Sequence, residues 1–264
     1  MWIKKTCIVL AGTLFPSLVT TSMLQAEDVK GSLAILYSPH KTLLSAPGYL
    51  SHSNPPQLPI DHENKGSDYY GFQGEVNYGK YLLAIDYLSG TSNTIAGALD
   101  RDAAGFIPAT FNPLSYESSE TLDISAGYSI LGGGSGDKLA ATVGYFRLWA
   151  SPAISPPNWY DGVEIGLKGK YSVHKSLALT GKIGYLPDVS VHGYMKNPDT
   201  HPDLPYMTGK SMLIYTIGAE VPLGADISII GGYKSVRAVN KVVEDGSDAV
   251  VKFTGYYVGG SYNF

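Results

Sequence analysis

Apolar and polar residues alternate with a period of two along most of the chain, in segments of about ten residues. In one segment Leu122, Ile124 and Ala126 occupy one parity, whereas Asp123 and Ser125 occupy the other. This alternation predicts β-strands with one apolar and one polar face, and ten such segments follow one another. No stretch after residue 24 is long and apolar enough to cross a membrane as a helix. We therefore predict an all-β chain.

The connections between these segments alternate between short and long. Tight turns lie near residue 79 and at 131–138, 173–176 and 222–225, and longer segments span 39–66, 90–116, 150–160, 187–208 and 235–248. Short turns at one end and long loops at the other are typical of outer-membrane barrels, as are tyrosines at the ends of the apolar faces. The pattern predicts a single closed antiparallel transmembrane β-barrel of ten strands, with eight or twelve strands as alternatives.

The N-terminal residues have the layout of a secretory signal peptide. Lys4 and Lys5 precede an apolar stretch that runs from Ile8 to Val19, and a segment of small residues ends at Ala26. We predict that residues 1–26 form this signal and that residues 27–264 form the barrel, located in the bacterial outer membrane. The C-terminal Phe264 resembles the terminal aromatic residue of such barrels, which their assembly machinery reads, and it predicts that machinery as a partner.

The polar parity of the predicted strands carries charges of both signs. Because buried charges need partners, and because a ring of ten strands is narrow, we expect these side chains to pair across the interior. This predicts a structural plug, with a narrow channel as the alternative. A formal net charge of −4 argues against nucleic acid as a partner. The inward charges are Glu75, Asp86, Asp123, Glu164, Glu220, Lys168, Lys170, Lys182 and Lys234.

Two short motifs in the long loops carry candidate chemistry. The second loop contains Asp100 and Asp102 in an Asp-x-Asp motif, and the fourth contains Asp199 and His201 in an Asp-x-His motif. A ten-stranded outer-membrane barrel with these motifs on these loops resembles the omptin family of surface endopeptidases. The resemblance implies that Asp199 orients His201, that His201 is a general base, and that Asp100 and Asp102 position the attacking water, without metal or cofactor. The alternative is a non-catalytic barrel whose loops bind a ligand or an adhesion partner.

Other polar residues of the loops and strand ends suggest additional contacts. Arg147 and Lys252 have the lipid-facing parity near the loop ends of their strands, where a cation can meet a lipid phosphate, so we predict lipopolysaccharide contact for both. His192 follows Asp188 by four residues, and we predict a structural pair between them. The histidines of the first long loop match no metal-ligand spacing and are expected to be solvated: His40, His52 and His62.

Overall fold

The fold is that of a computed structural model, which describes residues 29–48, 57–63, 67–91, 95–98, 112–114, 116–132, 137–152, 158–192, 196–197, 201–205, 207–242 and 248–264. The predicted signal peptide lies outside these ranges. Every regular element within them is a β-strand. Across the described residues, no helix has the length and apolar character needed to cross a membrane.

Ten long strands form a closed antiparallel barrel, which confirms both the predicted fold class and the predicted number of strands. Each strand pairs with its neighbours in barrel order, and the last pairs with the first. The barrel strands are β1 (Val29–Gly48), β3 (Ser67–Tyr78), β4 (Tyr81–Thr91), β7 (Tyr116–Gly132), β8 (Lys138–Pro152), β9 (Asn158–His174), β10 (Leu177–Leu186), β14 (Met207–Pro222), β15 (Ile227–Val242) and β16 (Asp248–Asn263).

Within the described residues, six short strands lie in the long connections. They are β2 (Gln57–Glu63), β5 (Ile95–Ala98), β6 (Asn112–Leu114), β11 (Ser190–His192), β12 (Lys196–Asn197) and β13 (His201–Pro205). Two of them extend the wall at the loop end, because β2 pairs with the last residues of β1 and β11 pairs with the first residues of β9. The others form two small hairpins, β5 with β6 and β12 with β13.

The barrel closes where β1 meets β16. The Gly31 amide donates to the Phe264 carbonyl at 2.8 Å, and the Phe264 amide donates to the Gly31 carbonyl at 3.0 Å. A Cβ at position 31 would lie 2.4 Å from the Phe264 ring, so only glycine leaves room for the terminal aromatic side chain. The last residue of the chain is therefore packed onto the first strand.

The predicted alternation decides which side chains face outward. Ile35, Leu83 and Ile217 are large, apolar and more than half exposed, whereas polar residues of the opposite parity are buried. Exposed tyrosines such as Tyr70 and Tyr78 mark the two ends of this apolar band, and their separation of eight positions corresponds to about 26 Å along the strand. An apolar exterior bordered by aromatic residues at both ends is typical of an outer-membrane barrel.

Two strands run further into the loop end than the alternation predicts. β1 continues to Gly48, ten residues beyond Ser38, where the sequence predicts a loop from residue 39. Likewise β15 continues through residues 235–242, where the sequence predicts a loop. Along this part of β15 the inward side chains of Val236 and Ala238 are apolar rather than polar, so the alternation weakens while the backbone pairing continues.

Candidate functional site

The turn-end half of the lumen is lined by ion pairs. Lys182 bridges two strands, lying 2.5 Å from Asp123 Oδ2 and 2.8 Å from Glu164 Oε1. Lys234 reaches across the interior to Asp86 Oδ1 at 2.7 Å. All five of these residues come from the inward parity predicted by the sequence, and each charge has a partner of opposite sign, as burial requires.

Two further groups of ion pairs lie nearer the turns. Lys168 lies 2.6 Å from Glu75 Oε2, and Lys138 contacts the other oxygen of the same carboxylate. Lys170 lies 2.7 Å from Glu220 Oε2. Counted together, the ion pairs of the lumen join five carboxylates and five lysines. All of them except Glu164 and Lys234 line a cavity of about 140 Å³. Lys138 was not predicted to face the lumen, because it lies at the end of the predicted turn 131–138.

The loop-end half of the lumen is closed by apolar side chains. Inward residues of seven barrel strands, together with Val189, pack into one buried cluster that we call the apolar seal. Such a packed cluster leaves no room for water or ions. Its members are Tyr69, Phe146, Leu148, Tyr160, Leu186, Val189, Met212, Ile214, Val236, Ala238 and Phe253.

His40 joins the apolar seal, which corrects its prediction as a solvated loop residue. Its ring is 1% exposed and stacks on Phe253, with ring centroids 4.2 Å apart. The Ser38 hydroxyl lies 2.6 Å from His40 Nδ1 and donates to the Tyr256 carbonyl at 2.7 Å. The reason for the difference is the length of β1, since its inward parity carries residue 40 into the lumen.

Cations occur on the outer surface of the barrel wall, beyond the tyrosines of the loop end. Arg147 and Lys252 both have the outward parity that the sequence predicts. Lys252 lies directly opposite Arg237 in the β15–β16 ladder, four residues along from the pair formed by Tyr233 and Tyr256. Like charges placed opposite each other destabilise a ladder unless an anion compensates them. Arg237 was not predicted from the sequence, because no local motif marks it and only its pairing with Lys252 distinguishes it.

His192 has a different partner from the predicted Asp188. Its Nε2 lies 3.3 Å from Asp161 Oδ1, and the Tyr145 hydroxyl donates to Asp161 Oδ2 at 2.9 Å. The His192 ring stacks on Trp159 at 5.1 Å between centroids. The correction follows from strand pairing, because β11 lies beside β9 and brings His192 opposite Trp159.

The same outward face holds Arg147 against two tryptophans. Trp149 and Trp159 are stacked almost parallel, with ring centroids 5.0 Å apart. The Arg147 guanidinium carbon lies 4.7 Å from the Trp149 ring and 5.3 Å from the Trp159 ring. Aromatic rings next to a guanidinium at a lipid–water boundary can hold that cation at the level of the headgroups.

The predicted catalytic residues belong to two of the long connections of the sequence. Asp100 and Asp102 lie between β5 and β6, and Asp199 lies between β12 and β13, and all three fall outside the described residues. His201 is the first residue of β13, where its backbone pairs with Asn197. In the sequence, the four residues belong to the second and fourth long connections.

Comparisons with known proteins find similarity in structure. The outer-membrane protease OmpT of Escherichia coli matches 91% of this chain and 98% of its own, with a TM-score of 0.52 and 11% sequence identity. Neisserial surface protein A matches 89% of this chain and 97% of its own at 8% identity, with a TM-score of 0.35. No protein-family model and no curated protein sequence matches the chain. The chain therefore has the fold of an outer-membrane β-barrel with ten strands.

Proposed function

We propose that this chain is a bacterial outer-membrane protein that acts at its outer face rather than as a channel. The observation that supports this most strongly is the closure of the lumen by both the ion pairs and the apolar seal. With the lumen closed in this way, we expect chemistry on the loops and on the outer wall. By the usual arrangement of such barrels, the short turns face the periplasm and the long loops face the outside.

The specific activity that we propose is endopeptidase activity of the omptin kind. In this mechanism His201 accepts a proton from a water molecule that attacks the scissile carbonyl, and Asp199 holds the imidazole in the required orientation. Asp100 and Asp102 would hold the water and the substrate. Support comes from the occurrence of both motifs in the second and fourth long connections of the sequence and from the similarity in fold to an outer-membrane protease, OmpT.

A peptide-cleavage assay tests this proposal. The refolded barrel in detergent with lipopolysaccharide is given a quenched fluorescent peptide library, and wild type is compared with His201→Ala. The matched control is His174→Ala, which changes an exposed histidine in a short turn at the opposite end. We expect cleavage by wild type and the control and a loss of at least about a hundredfold in His201→Ala. Absence of cleavage by a folded wild-type barrel would reject the peptidase and leave a non-catalytic binding role.

A second proposed function is contact with the phosphates of lipopolysaccharide through Arg147 and Lys252. The cross-strand partner Arg237 supports it, because Arg237 and Lys252 repel each other and a bound anion would relieve that repulsion. Lipopolysaccharide binding should weaken several-fold in Arg147→Gln and Lys252→Gln. Lys80→Gln is the control, because Lys80 is exposed in a short turn at the other end. Equal binding by all variants would contradict the assignment.

We also propose that the assembly machinery of the outer membrane recognises the C-terminal Phe264. The packing of its ring over Gly31 supports a role in closing the barrel. Phe264→Ala should lower the yield of folded protein in cells while leaving refolding in detergent largely intact. Equal losses in cells and in detergent would show a purely structural role.

A further inference from the structure

The cavity in the turn-end half of the lumen is lined mainly by polar and charged side chains. All ten barrel strands contribute residues to its wall. A volume of about 140 Å³ has room for roughly ten waters, or for one molecule with about as many non-hydrogen atoms. Besides the charged groups, the wall carries hydroxyl groups, which can donate and accept hydrogen bonds: Ser32, Ser125, Thr180, Thr216, Tyr257 and Ser261.

This cavity is reached from the turn end of the barrel. On the lumen face of β9, the side chains of Lys168 and Lys170 are 26% and 28% exposed. Further from the turns, the side chain of Glu164 is only 1% exposed, and that of Lys234 on β15 only 3%. Toward the long loops the apolar seal closes the lumen. As far as the described residues extend, the cavity is a blind pocket, which we call the turn-end pocket.

Near the opening of the turn-end pocket, the ion pairs contain one lysine too many. Lys138 and Lys168 both contact the Glu75 carboxylate, so two cations share one anion. The third lysine at this level, Lys170, has Glu220 to itself. All five residues line the pocket. The ion pairs at the opening therefore carry a formal excess of one positive charge.

Deeper in the lumen, the ion pairs contain one carboxylate too many. Asp123 and Glu164 both contact the Lys182 ammonium, so two anions share one cation. The other pair at this level, Lys234 with Asp86, is balanced. Asp123 lies on the wall of the pocket, whereas Glu164 lies behind Lys182 and outside the lining. The deep ion pairs therefore carry a formal excess of one negative charge, which the pocket meets at Asp123.

We propose that the turn-end pocket binds a small zwitterion of the amino-acid class, with its carboxylate at the opening and its ammonium group toward Asp123. The ligand carboxylate supplies a second anion for Lys138 and Lys168, and the ammonium group supplies a second cation for Asp123 and Glu164. A ligand with a single charge corrects only one of the two imbalances. This inference goes beyond the proposed action at the outer face and does not depend on it.

Saturation-transfer NMR on the folded barrel in detergent measures this binding directly. The probes are glycine and γ-aminobutyrate, two zwitterions that differ in the distance between their charges. Acetate and methylammonium carry the same two groups on separate molecules and are the matched ligand controls. We expect at least one zwitterion to bind about tenfold more tightly than either single ion, as for one further hydrogen bond to a charged group. Binding of neither zwitterion, or no preference over the single ions, would overturn the proposal.

Two substitutions each remove one excess charge and leave the other ion pairs in place. Lys168→Gln leaves Glu75 with its second lysine, and Glu164→Gln leaves Lys182 with its second carboxylate. Both variants should therefore keep the heat-shifted gel mobility of a folded barrel. Each should bind the preferred zwitterion about tenfold more weakly than wild type does.

The single ions show which end of the ligand each charge recognises. Lys168→Gln leaves a negative excess and should prefer methylammonium to acetate, whereas Glu164→Gln leaves a positive excess and should prefer acetate. The control Lys210→Gln removes the cation of an exposed pair with Asp248 at the other end of the barrel, and it should bind as wild type does. The same ligand preference in all folded variants would contradict the proposed orientation of the zwitterion.

A single introduced cysteine locates the bound ligand. The one cysteine of the chain, Cys7, lies in the predicted signal, so Ser32→Cys gives the mature protein one thiol, on the wall of the pocket. Its reaction with a bulky methanethiosulfonate should abolish zwitterion binding. The same reaction at Ser190→Cys, which is exposed in β11 at the other end, should leave binding unchanged. A thiol at position 32 that does not react, or binding that survives its modification, would overturn the assignment to the pocket.

These outcomes are separate from those of the peptidase and lipopolysaccharide assays. A barrel that cleaves no peptide but binds a zwitterion in the predicted manner keeps the turn-end pocket and rejects only the peptidase. A barrel that cleaves peptides but shows no preference for zwitterions keeps the peptidase and rejects only the pocket as a binding site.

Discussion

The two halves of the lumen are filled in different ways. Toward the short turns, charged side chains surround a cavity of about 140 Å³ and neutralise one another. Toward the long loops, the apolar seal packs buried side chains that include Phe146, Phe253 and Ile214. An ion-pair network depends on every partner, because one missing charge leaves another unpaired. An apolar cluster loses stability only in proportion to the side chain removed.

The largest effect should follow from breaking the ion pairs at their most buried point. Lys182→Met removes the one cation that lies between Asp123 and Glu164, and we expect a loss of roughly 3–5 kcal/mol in the free energy of unfolding. Urea titration followed by heat-shifted gel mobility measures this loss. The control is Lys170→Met, at the more accessible pair with Glu220, which should cost clearly less. Equal costs would contradict the role that we give to burial.

The apolar seal is tested by truncating its fully buried ring. Phe146→Ala should lower the free energy of unfolding by about 3 kcal/mol, from lost contacts and the cavity left behind. The neighbouring outward change Val143→Ala faces lipid and is the comparison, with an expected loss below about 1 kcal/mol. The same titration applies. A similar loss for both variants would mean that the seal is not a packed core.

The boundary between the two halves is tested at Gly184. A Cβ at this position would lie 2.2 Å from Glu164 Oε1, so Gly184→Ala must push the carboxylate away from Lys182. We expect a loss of roughly 1–3 kcal/mol, as for overpacking elsewhere. Gly260→Ala is the matched control, because the space around that Cβ is open. If the two alanine variants have the same free energy of unfolding, the close approach at Gly184 does not contribute to stability.

The smallest effect should come from converting an ion pair into apolar contact. Replacing both members of one pair, Asp86→Leu with Lys234→Met, should change the free energy of unfolding by less than about 1 kcal/mol. Lys234→Met alone should cost more than the double variant, because it leaves Asp86 without its cation. Gln73, which donates to Asp86 at 2.7 Å, compensates only part of that charge. A double variant with a lower free energy of unfolding than Lys234→Met alone would show that the charges themselves are needed.

The alternation of residues predicts this barrel well, because each strand has to separate lipid from the interior. Ten strands, the four turns and the inward ion-pair residues Asp86, Lys182 and Lys234 all follow from parity. The extensions of β1 and β15 did not follow from it. Along β15, apolar residues such as Val236 face inward and weaken the pattern. Residue parity predicts the direction of the side chains of a strand only where its two faces differ in polarity.

Side-chain partners between distant strands were harder to predict. The bond of His192 to Asp161 joins residues 31 positions apart, and it depends on a three-residue strand that has no pattern of its own. The nearer Asp188 was the wrong partner for this reason. The pairing of Arg237 with Lys252 likewise depends on register, which an unaligned sequence does not give. The catalytic roles of Asp100, Asp102, Asp199 and His201 stay predictions from a resemblance.

Ion flux through the barrel tests most directly the claim that the lumen is sealed and that the protein acts at its outer face. The folded wild-type protein is inserted into planar lipid bilayers, with insertion verified by recovering heat-shifted barrel from the membrane. We predict no regular current steps, because the apolar seal and the ion pairs both block the interior. Reproducible steps of one size from wild-type protein would contradict the account and make the lumen, rather than the loops, the place of function.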